Sequence, residues 1–508
     1  MAETKKTATK TTTKRTCARK TTKAKEEIKV EIVKKKSVLF VASESAPFIA
    51  TGGLADVIGS LPKALAKETD LDIRVMLPLY ADVVKEYKNK LKYLGNFYVP
   101  LAWRSQYCGV FSLEYEGVTF YFLDNEYYFK RPGLYGYFDD GESFAYFSRA
   151  AIEAMAFLDF YPDVLHCHDW QTALAVVYLK TIYCVRQNYR KIKTVFTIHN
   201  IEYQGKYAED TIEDLFGISR ISLPILEFDG CINLMKGAIE CTDILSTVSP
   251  KYAQEIRDPY YAHGLESIIN RNASKLRGVL NGIDVDTYNP EIDELIFKNY
   301  TADDLAGKAE CKEGLQKMLG LPVRADVPMI AMISRLVSHK GLDLVKRVLE
   351  EILQEDVQFV ILGQGDSGYE RYFQGVEGNY EGKFKALIKF NKDLARKIYS
   401  GADLFLMPSK SEPCGLSQMI SSRYGTIPIV RETGGLYDSI KPFVGDNGNG
   451  FTFANYNAHD MLYVVRQAIR AYKESGFWDS YVQRAMTTDF SWGKSAKQYE
   501  EMYNDLLK

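Results

Sequence analysis

The sequence predicts an α/β protein made of two doubly wound parallel sheets that face each other across a cleft. Three observations predict it. The chain has 508 residues, more than a single hydrophobic core usually supports. From Lys36 onward, short apolar runs alternate with amphipathic helical segments. Part-way along, after VLNGIDVDTYNP, the whole alternation starts again.

The first 36 residues stand apart. They are Lys/Thr low complexity, with thirteen Lys or Arg against four Glu, a net of +9. Such a stretch has little to bury and is expected to be a disordered basic tail. It lacks the apolar centre of a secretory signal, and a transit peptide would carry more Arg and Ser. A solubilising tail and an arm that tethers a polyanion or polymer are both open readings. The chain as a whole has a net charge of −2, so the remainder is near −11. That balance argues against nucleic acid as a partner.

The elements follow in order. SVLFVAS, DIRVMLP, VTFYFLD, DVLHCHD, KTVFTIHN and DILSTVS are short and bounded by turn chemistry. Continuous apolar strands between helices are the mark of a parallel sheet covered on both faces. After SVLFVAS, the residues Leu54, Val57, Ile58, Leu61 and Leu65 keep helical spacing. The second set is VPMIAMISRL, VQFVILGQGD, LFLMPS, IPIVRET and GNGFTF. The Asn-Gly and Asn-Pro turns between the sets place a boundary at 280. The expected organisation is a tail over 1–36, domains over 37–280 and 281–486, and a final helix over 487–508 crossing back to the first domain. Ligands of such sheets sit at the carboxyl ends of the strands. No apolar run is long enough to span a bilayer, so no membrane partner is expected. The eight cysteines are scattered, with no CxxC pair. Reduced thiols in a cytoplasm are the expectation.

Four constellations lie where that cleft should be. In TGGLADV, Gly52 and Gly53 open a helix, where glycine lets a ligand approach the backbone and free N–H groups favour an anion. A Gly-Gly pair equally relieves tight packing. In ISRLVSHKGLDL, Arg335 and Lys340 follow a strand, and two fixed cations there suit a diphosphate; the plain alternative is two solvated surface charges. In PSKSEPCGLSQ and RETGGL, Glu412, Cys414, Gly415, Leu416, Thr433 and Gly434 sit at two adjacent strand-to-helix junctions. A carboxylate there binds sugar hydroxyls, or merely complements the helix dipole. In DVLHCHDW, His166, Cys167, His168 and Asp169 invite a metal, but no second cluster completes a site. His168, at a strand end and expected to face the cleft, suits a hydrogen bond to a sugar or to a peptide carbonyl; the plain alternative is a satisfied structural histidine. Asp284-Val285-Asp286 has the spacing of metal-dependent sugar transferases, yet it follows Asn-Gly and reads as turn chemistry.

Together these motifs resemble the bacterial glycogen synthases and plant starch synthases. The resemblance runs from about Lys36 to Lys508, through TGGLADVIGSLPKAL, HCHDWQTAL, TIHNIEYQG, STVSPKYAQEI, LNGID, SRLVSHKGLDL, GQGD, PSKSEPCGLSQ, YGTIPIVRETGGL and a late FSW. It implies a GT-B fold and a retaining hexosyltransferase. Such an enzyme moves glucose from ADP-glucose to the non-reducing 4-OH of an α-1,4-glucan, by a front-face mechanism. A UDP-glucose donor, another acceptor, or a non-catalytic glucan-binding relative are the alternatives.

By motif, the resemblance gives His168, Arg335, Lys340 and Glu412 catalytic roles. It sets Gly52, Gly53, Asn281, Phe390, Cys414, Gly415, Leu416, Thr433 and Gly434 on the donor, with Phe390 stacking on the base. Asp56, Asp139, His199, Asn200 and Gln204 fall on the acceptor side. No metal and no cofactor is implied. Two departures stand out. Ala50 occupies the position where relatives often carry Lys, and FDDGESF has Asp140 and Ser143 where relatives often show Asn and a later Arg.

Overall fold

The computed structural model describes residues 35–508, apart from 82, 84–86, 88, 89 and 475. The basic tail therefore lies almost wholly outside the described residues. In chain order the strands are β1 (Ser37–Val41), β2 (Asp72–Pro78), β3 (Lys92–Leu101), β4 (Arg104–Tyr115), β5 (Val118–Asp124), β6 (Val164–His168) and β7 (Lys193–Ile198). The short β8 (Lys206–Tyr207), β9 (Glu227–Phe228) and β10 (Cys231–Asn233) come next, then β11 (Ile244–Thr247) and β12 (Leu276–Gly278). The second series is β13 (Met329–Ile333), β14 (Gln358–Gly363), β15 (Phe384–Ile388), β16 (Leu404–Met407), β17 (Ile427–Arg431) and β18 (Phe451–Phe453).

Two large sheets result. One has nine strands in the order β12-β11-β7-β6-β1-β2-β5-β4-β3. The other has six, ordered β15-β14-β13-β16-β17-β18. In both, the order turns back beside the first strand of the series, which is the doubly wound pattern. The six-stranded sheet is parallel throughout. The nine-stranded sheet is not: β4 runs antiparallel to both β5 and β3. The expectation of a purely parallel first sheet is corrected at that edge. A hairpin, with Ala102 in a left-handed conformation (φ 53°) at its turn, replaces a crossover helix there.

Eight helices set the site: α1 (Gly53–Glu68), α2 (Asp140–Phe157), α3 (Trp170–Tyr178), α4 (Pro250–Glu255), α5 (Leu342–Gln354), α6 (Ser417–Arg423), α7 (Gly434–Ser439) and α8 (Trp492–Leu506). The apolar residues picked out in α1 are all buried, and burying them anchors its glycine end at the tip of β1. Helix α8 packs on α1. Its Tyr503 hydroxyl lies 2.8 Å from His166 Nδ1, so the end of the chain is built into the first sheet's core. Where the chain leaves one sheet for the other, the Asp284 carboxylate accepts N–H bonds from Asp286 and Thr287 at 3.1 and 2.9 Å. The DxD spacing thus serves a turn.

Candidate active site

The strand ends of both sheets open onto one cavity of about 1200 Å³, lined by residues of both. Just beyond β1 come Glu44 and Gly52, and from the first turn of α1 come Gly53 and Asp56. From the ends of β6 and β7 come Asp169, His199 and Asn200. From the other sheet come Arg335, Lys340, Glu412, Cys414, Gly415 and Leu416, with Asn281 from the connection.

The wall supplied by the second sheet is cationic. Lys340 Nζ donates to both oxygens of Glu412, at 2.9 and 2.7 Å, and Ser409 Oγ donates to Oε2 at 2.9 Å. Gly341 makes this possible. It has φ 74°, and a Cβ there would stand 2.1 Å from the Pro408 carbonyl oxygen, so only glycine lets the Lys340 loop close on the strand. Arg335 is exposed, and among the described residues no carboxylate pairs with its guanidinium. Gly415, at φ 71°, turns the chain from Glu412 into the start of α6. One cation is thus held by a carboxylate and the other stands free.

The opposite wall carries carboxyls whose charge burial suppresses. Burial lifts the Asp169 carboxyl to about 7, although the His199 and Asn200 amides oppose the shift. Its Oδ1 accepts the His199 N–H at 2.7 Å and the Asn200 N–H at 3.4 Å. The backbone of Asp169 has φ 55° and ψ 179°, a costly conformation for a residue with a side chain. Strain of this kind gathers at functional sites. Asp56 presents its surface to the cavity, yet surrounding protein lifts its carboxyl to about 6 against the pull of Lys392. Burial raises Glu44 and Asp140 too, opposed respectively by bonds from Thr51 and by the Gly136 and Tyr137 amides.

Histidines on this wall shift the other way. His199 is held down to about 3 by burial, and His168 and His166 lie well below their usual range for the same reason. All three are neutral at physiological pH. His168 Nδ1 is 3.0 Å from His199 Nε2, and His166 reaches Thr197 Oγ1 at 2.6 Å through Nε2. Among the described residues no group of His, Cys, Asp and Glu is arranged to hold a metal ion.

The structure gathers most of the sequence-predicted residues and displaces several. His168 is fully buried against Phe40, whose ring stacks on it at 5.5 Å. It stands behind the wall, and Asp169 and His199 face the cavity in its place. Asp139 is bound by Arg131 Nη1 at 2.7 and 2.9 Å; its neighbour Asp140 lines the cavity. Gln204 donates to the Ile201 and His263 carbonyls and accepts from Asn233, so it braces the loop from behind. Phe390 is 74% exposed and is not part of the lining. Thr433 and Gly434 donate to the Glu255 carboxylate, at 3.1 Å from Thr433 Oγ1 and at 3.0 and 3.1 Å from the Gly434 N–H. The anion at that helix start comes from α4. Glu44, Tyr135 and Ser409 were missed, and Asp169 was picked out only for a metal site that the sequence did not complete. Glu44, Asp169 and Ser409 each sit just beyond an apolar strand, and that position was the available signal.

Three polar atoms on the lining are buried without a hydrogen bond among the described residues: Asn281 Oδ1, Gln171 Oε1 and Asp140 Oδ1, the last 3.9 Å from Arg131 Nη2. Buried polar atoms are rarely left unpaired, so a cavity with three of them is shaped for a polar occupant.

Comparison with known proteins agrees with this geometry. The model for the starch synthase catalytic domain matches residues 37–271, and the model for glycosyl transferases group 1 matches 320–483. The glycogen synthase of Geobacillus thermodenitrificans is 48% identical over 475 residues, covering 93% of this chain and 98% of its own. That of Clostridium acetobutylicum is 50% identical over 476 residues, covering 92% of this chain and 100% of its own. Among solved structures, the catalytic domain of starch synthase IV from Arabidopsis thaliana, bound to ADP and acarbose, superposes with a TM-score of 0.86 at 34% identity, covering 93% of this chain and 100% of that one. Sucrose-phosphate synthase from Thermosynechococcus elongatus, at 15% identity and a TM-score of 0.57, shares the fold alone. The chain has the GT-B fold and belongs to the glycogen and starch synthase family of glycosyltransferases.

Proposed function

We propose that the enzyme transfers glucose from ADP-glucose to the non-reducing 4-OH of an α-1,4-glucan, with retention of configuration. The observation that carries the reading is the division of one cavity into a cationic wall and a wall of hydrogen-bonding groups whose negative charge burial reduces. In the reaction the bond from glucose C1 to the diphosphate oxygen breaks, and negative charge develops on the leaving group. Arg335 and Lys340 stand where that charge appears, and fixed charge in a shielded site is usually the largest single catalytic contribution. The Gly52, Gly53 and Gly415-Leu416 backbone meets the phosphates. Glu412 holds glucose hydroxyls while orienting Lys340. Asn281 gives its unpartnered oxygen to the donor.

The acceptor approaches from the other wall, over Asp56, Asp140, Asp169, His199 and Asn200. Because Glu412 already accepts from Lys340 and Ser409, it serves as a positioning group rather than a free nucleophile. This favours front-face displacement: the C1–O4 bond forms on the side the diphosphate leaves, and the departing phosphate oxygen takes the 4-OH proton. Residues 37–280 and 281–486 are read as the two domains whose closure assembles the site. The seven described cysteines are all unpaired, which supports a cytoplasmic setting. Among the described residues no helix is long and apolar enough to cross a membrane.

The test follows release of nucleotide diphosphate with glycogen as acceptor, comparing ADP-glucose with UDP-glucose. Proton NMR of the elongated chain reads the anomer. Faster turnover of ADP-glucose with α-linked product is expected. Exclusive use of UDP-glucose would overturn the donor, and a β-linked product would overturn retention.

A further inference from the structure

The stretch YGTIPIVRETGGL carries a residue that the reaction above does not use. Arg431 ends β17, on the side where the strands open onto the cavity. It is only 8% exposed and does not belong to the lining. Among the described residues no carboxylate pairs with its guanidinium. A buried charge without an ionic partner is costly, and an apolar side chain would fill much of the same space without that cost. The charge is spent on hydrogen bonds instead. Nη1 donates to the Ser409 carbonyl at 3.3 Å and to the Lys410 carbonyl at 2.8 Å. Nη2 donates to the Tyr261 hydroxyl at 3.3 Å, and Nε makes no hydrogen bond among the described residues.

The two carbonyls belong to the turn that leaves β16, and that turn holds both charged groups of the Lys340–Glu412 pair. Ser409 Oγ donates to Glu412 Oε2 at 2.9 Å. The Lys410 N–H donates to the His339 carbonyl at 2.9 Å, and Lys340 is the next residue. Four residues beyond Arg431, the Gly435 N–H donates to the Glu412 carbonyl at 3.1 Å. One planar guanidinium thus fixes the turn from which Glu412 and Lys340 are both aimed. The single ammonium of a lysine has no such rigid fork. Tyr261 lines the cavity from the segment after α4, so the same guanidinium also touches the facing wall.

We propose that Arg431 is a positioning residue for the glucose transfer: it holds the Ser409–Lys410 turn so that Glu412 meets the glucose and Lys340 the leaving diphosphate together. The inference rests on the roles given to Glu412 and Lys340 above. Arg431 touches no substrate, so it acts only through the aim of those two side chains. Aim matters because a misplacement of about 1 Å costs about 10²-fold in rate.

The experiment compares wild type with Arg431→Ala, Arg431→Lys, Ser409→Ala and Glu412→Gln, by steady-state kinetics with ADP-glucose and glycogen beside thermal melting. For Arg431→Ala, kcat is expected to fall about 10²-fold, while the KM for ADP-glucose stays within about threefold. Millimolar guanidinium, which refills the vacated space, should restore much of that rate. Urea, of the same shape without the charge, should not. Arg431→Lys keeps a charge and most of the bulk, so it should lose rate without an early melt. Arg431→Ala combined with Ser409→Ala should lose less than the product of the two single losses, because both act through one turn. Rates for both Arg431 variants within about threefold of wild type, beside a crippled Glu412→Gln, would overturn the positioning role. So would a loss that tracks the melting temperature and that guanidinium does not relieve. An undiminished rate in Glu412→Gln would instead overturn the role given to Glu412 in the proposed reaction, and the positioning role with it.

Discussion

On the wall built by the second sheet, Lys340 holds Glu412 at 2.7 Å and Arg335 stands without an ionic partner among the described residues. On the facing wall, Glu44, Asp56, Asp140 and Asp169 are all raised above the ordinary carboxylate range by burial, while the neighbouring histidines are driven neutral. A formal charge count would call the facing wall strongly acidic. Burial makes it less so, because a charged form surrounded by protein loses hydration that the few amide and hydroxyl bonds only partly replace. The difference is useful to an enzyme with an anionic donor and a neutral acceptor. Four fully ionised carboxylates across the cavity would repel a diphosphate, whereas Asp169, which titrates near 7, presents a hydrogen bond to a sugar hydroxyl when protonated.

The comparison is broken most directly on the cationic side. Arg335→Ala should lower kcat by about 10²–10³-fold and leave the melting temperature unchanged, because the side chain is exposed and unpaired. Lys340→Ala should lose as much activity. It should also cost about 1–3 kcal/mol of stability by leaving Glu412 in a buried site without its main donor. Steady-state kinetics beside thermal melting separate the two. Equal melting points for the variants would contradict the paired and unpaired roles.

A second break lies where the two walls are tied. Glu255 of α4 accepts the Thr433 hydroxyl and the Gly434 N–H of α7. Close by, Ser249 Oγ donates to the Pro413 carbonyl at 2.7 Å and the Lys251 N–H to Asp438 at 2.7 Å. Glu255→Ala leaves that buried amide and hydroxyl unsatisfied, at a cost of about 1–3 kcal/mol. Lower urea resistance is expected. If the KM for the donor also rises, the tie fixes the relative position of the walls as well as their stability.

Ala50→Lys sharpens the comparison by adding a cation to the other wall, two residues before Gly52. Ala50 is exposed, so the longer side chain has room. A restored charge-assisted hydrogen bond to the donor phosphates should raise kcat/KM for the nucleotide sugar by about tenfold. No gain would mean that Arg335 and Lys340 already suffice.

How much of this was readable beforehand follows the physics of each residue. The parallel strands were legible because they are buried on both faces and so read as apolar runs. The β3–β4 hairpin was not: KYLGNFYVPL and RSQYCGVFSLEY alternate polar with apolar along a half-exposed edge. FKALI, which is β15, hides for the same reason. Residues such as Arg335, Lys340 and Glu412 were legible because charge beside glycine at a strand end is uncommon. Asp139 against Asp140, and His168 against Asp169, were decided by one-residue differences in direction that a motif does not carry. Thr433 and Gly434 read as donor contacts, and their partner proved to be Glu255, far off in sequence.

Asp169→Asn tests the buried-carboxyl side with the smallest effect. The substitution keeps an oxygen to accept the His199 and Asn200 amides but removes the titration. In the wild type the folded carboxyl titrates near 7, against an ordinary value of 3.8. The folded state therefore holds a proton that the unfolded chain has already released, and wild-type stability falls as pH rises through this window. Asparagine has no such slope. Between pH 6 and pH 8 the stability of Asp169→Asn relative to wild type should rise by about 1 kcal/mol, read from urea unfolding at each pH. Histidines held neutral act in the opposite sense and at lower pH. Wild type and variant alike lose stability as pH falls below 6.5 toward the folded value of His199 near 3, so that slope cancels in the difference. A flat difference from pH 6 to 8 would mean that Asp169 is fully ionised at neutral pH, and that the wall facing the diphosphate carries at least one carboxylate charge to be offset by Arg335 and Lys340.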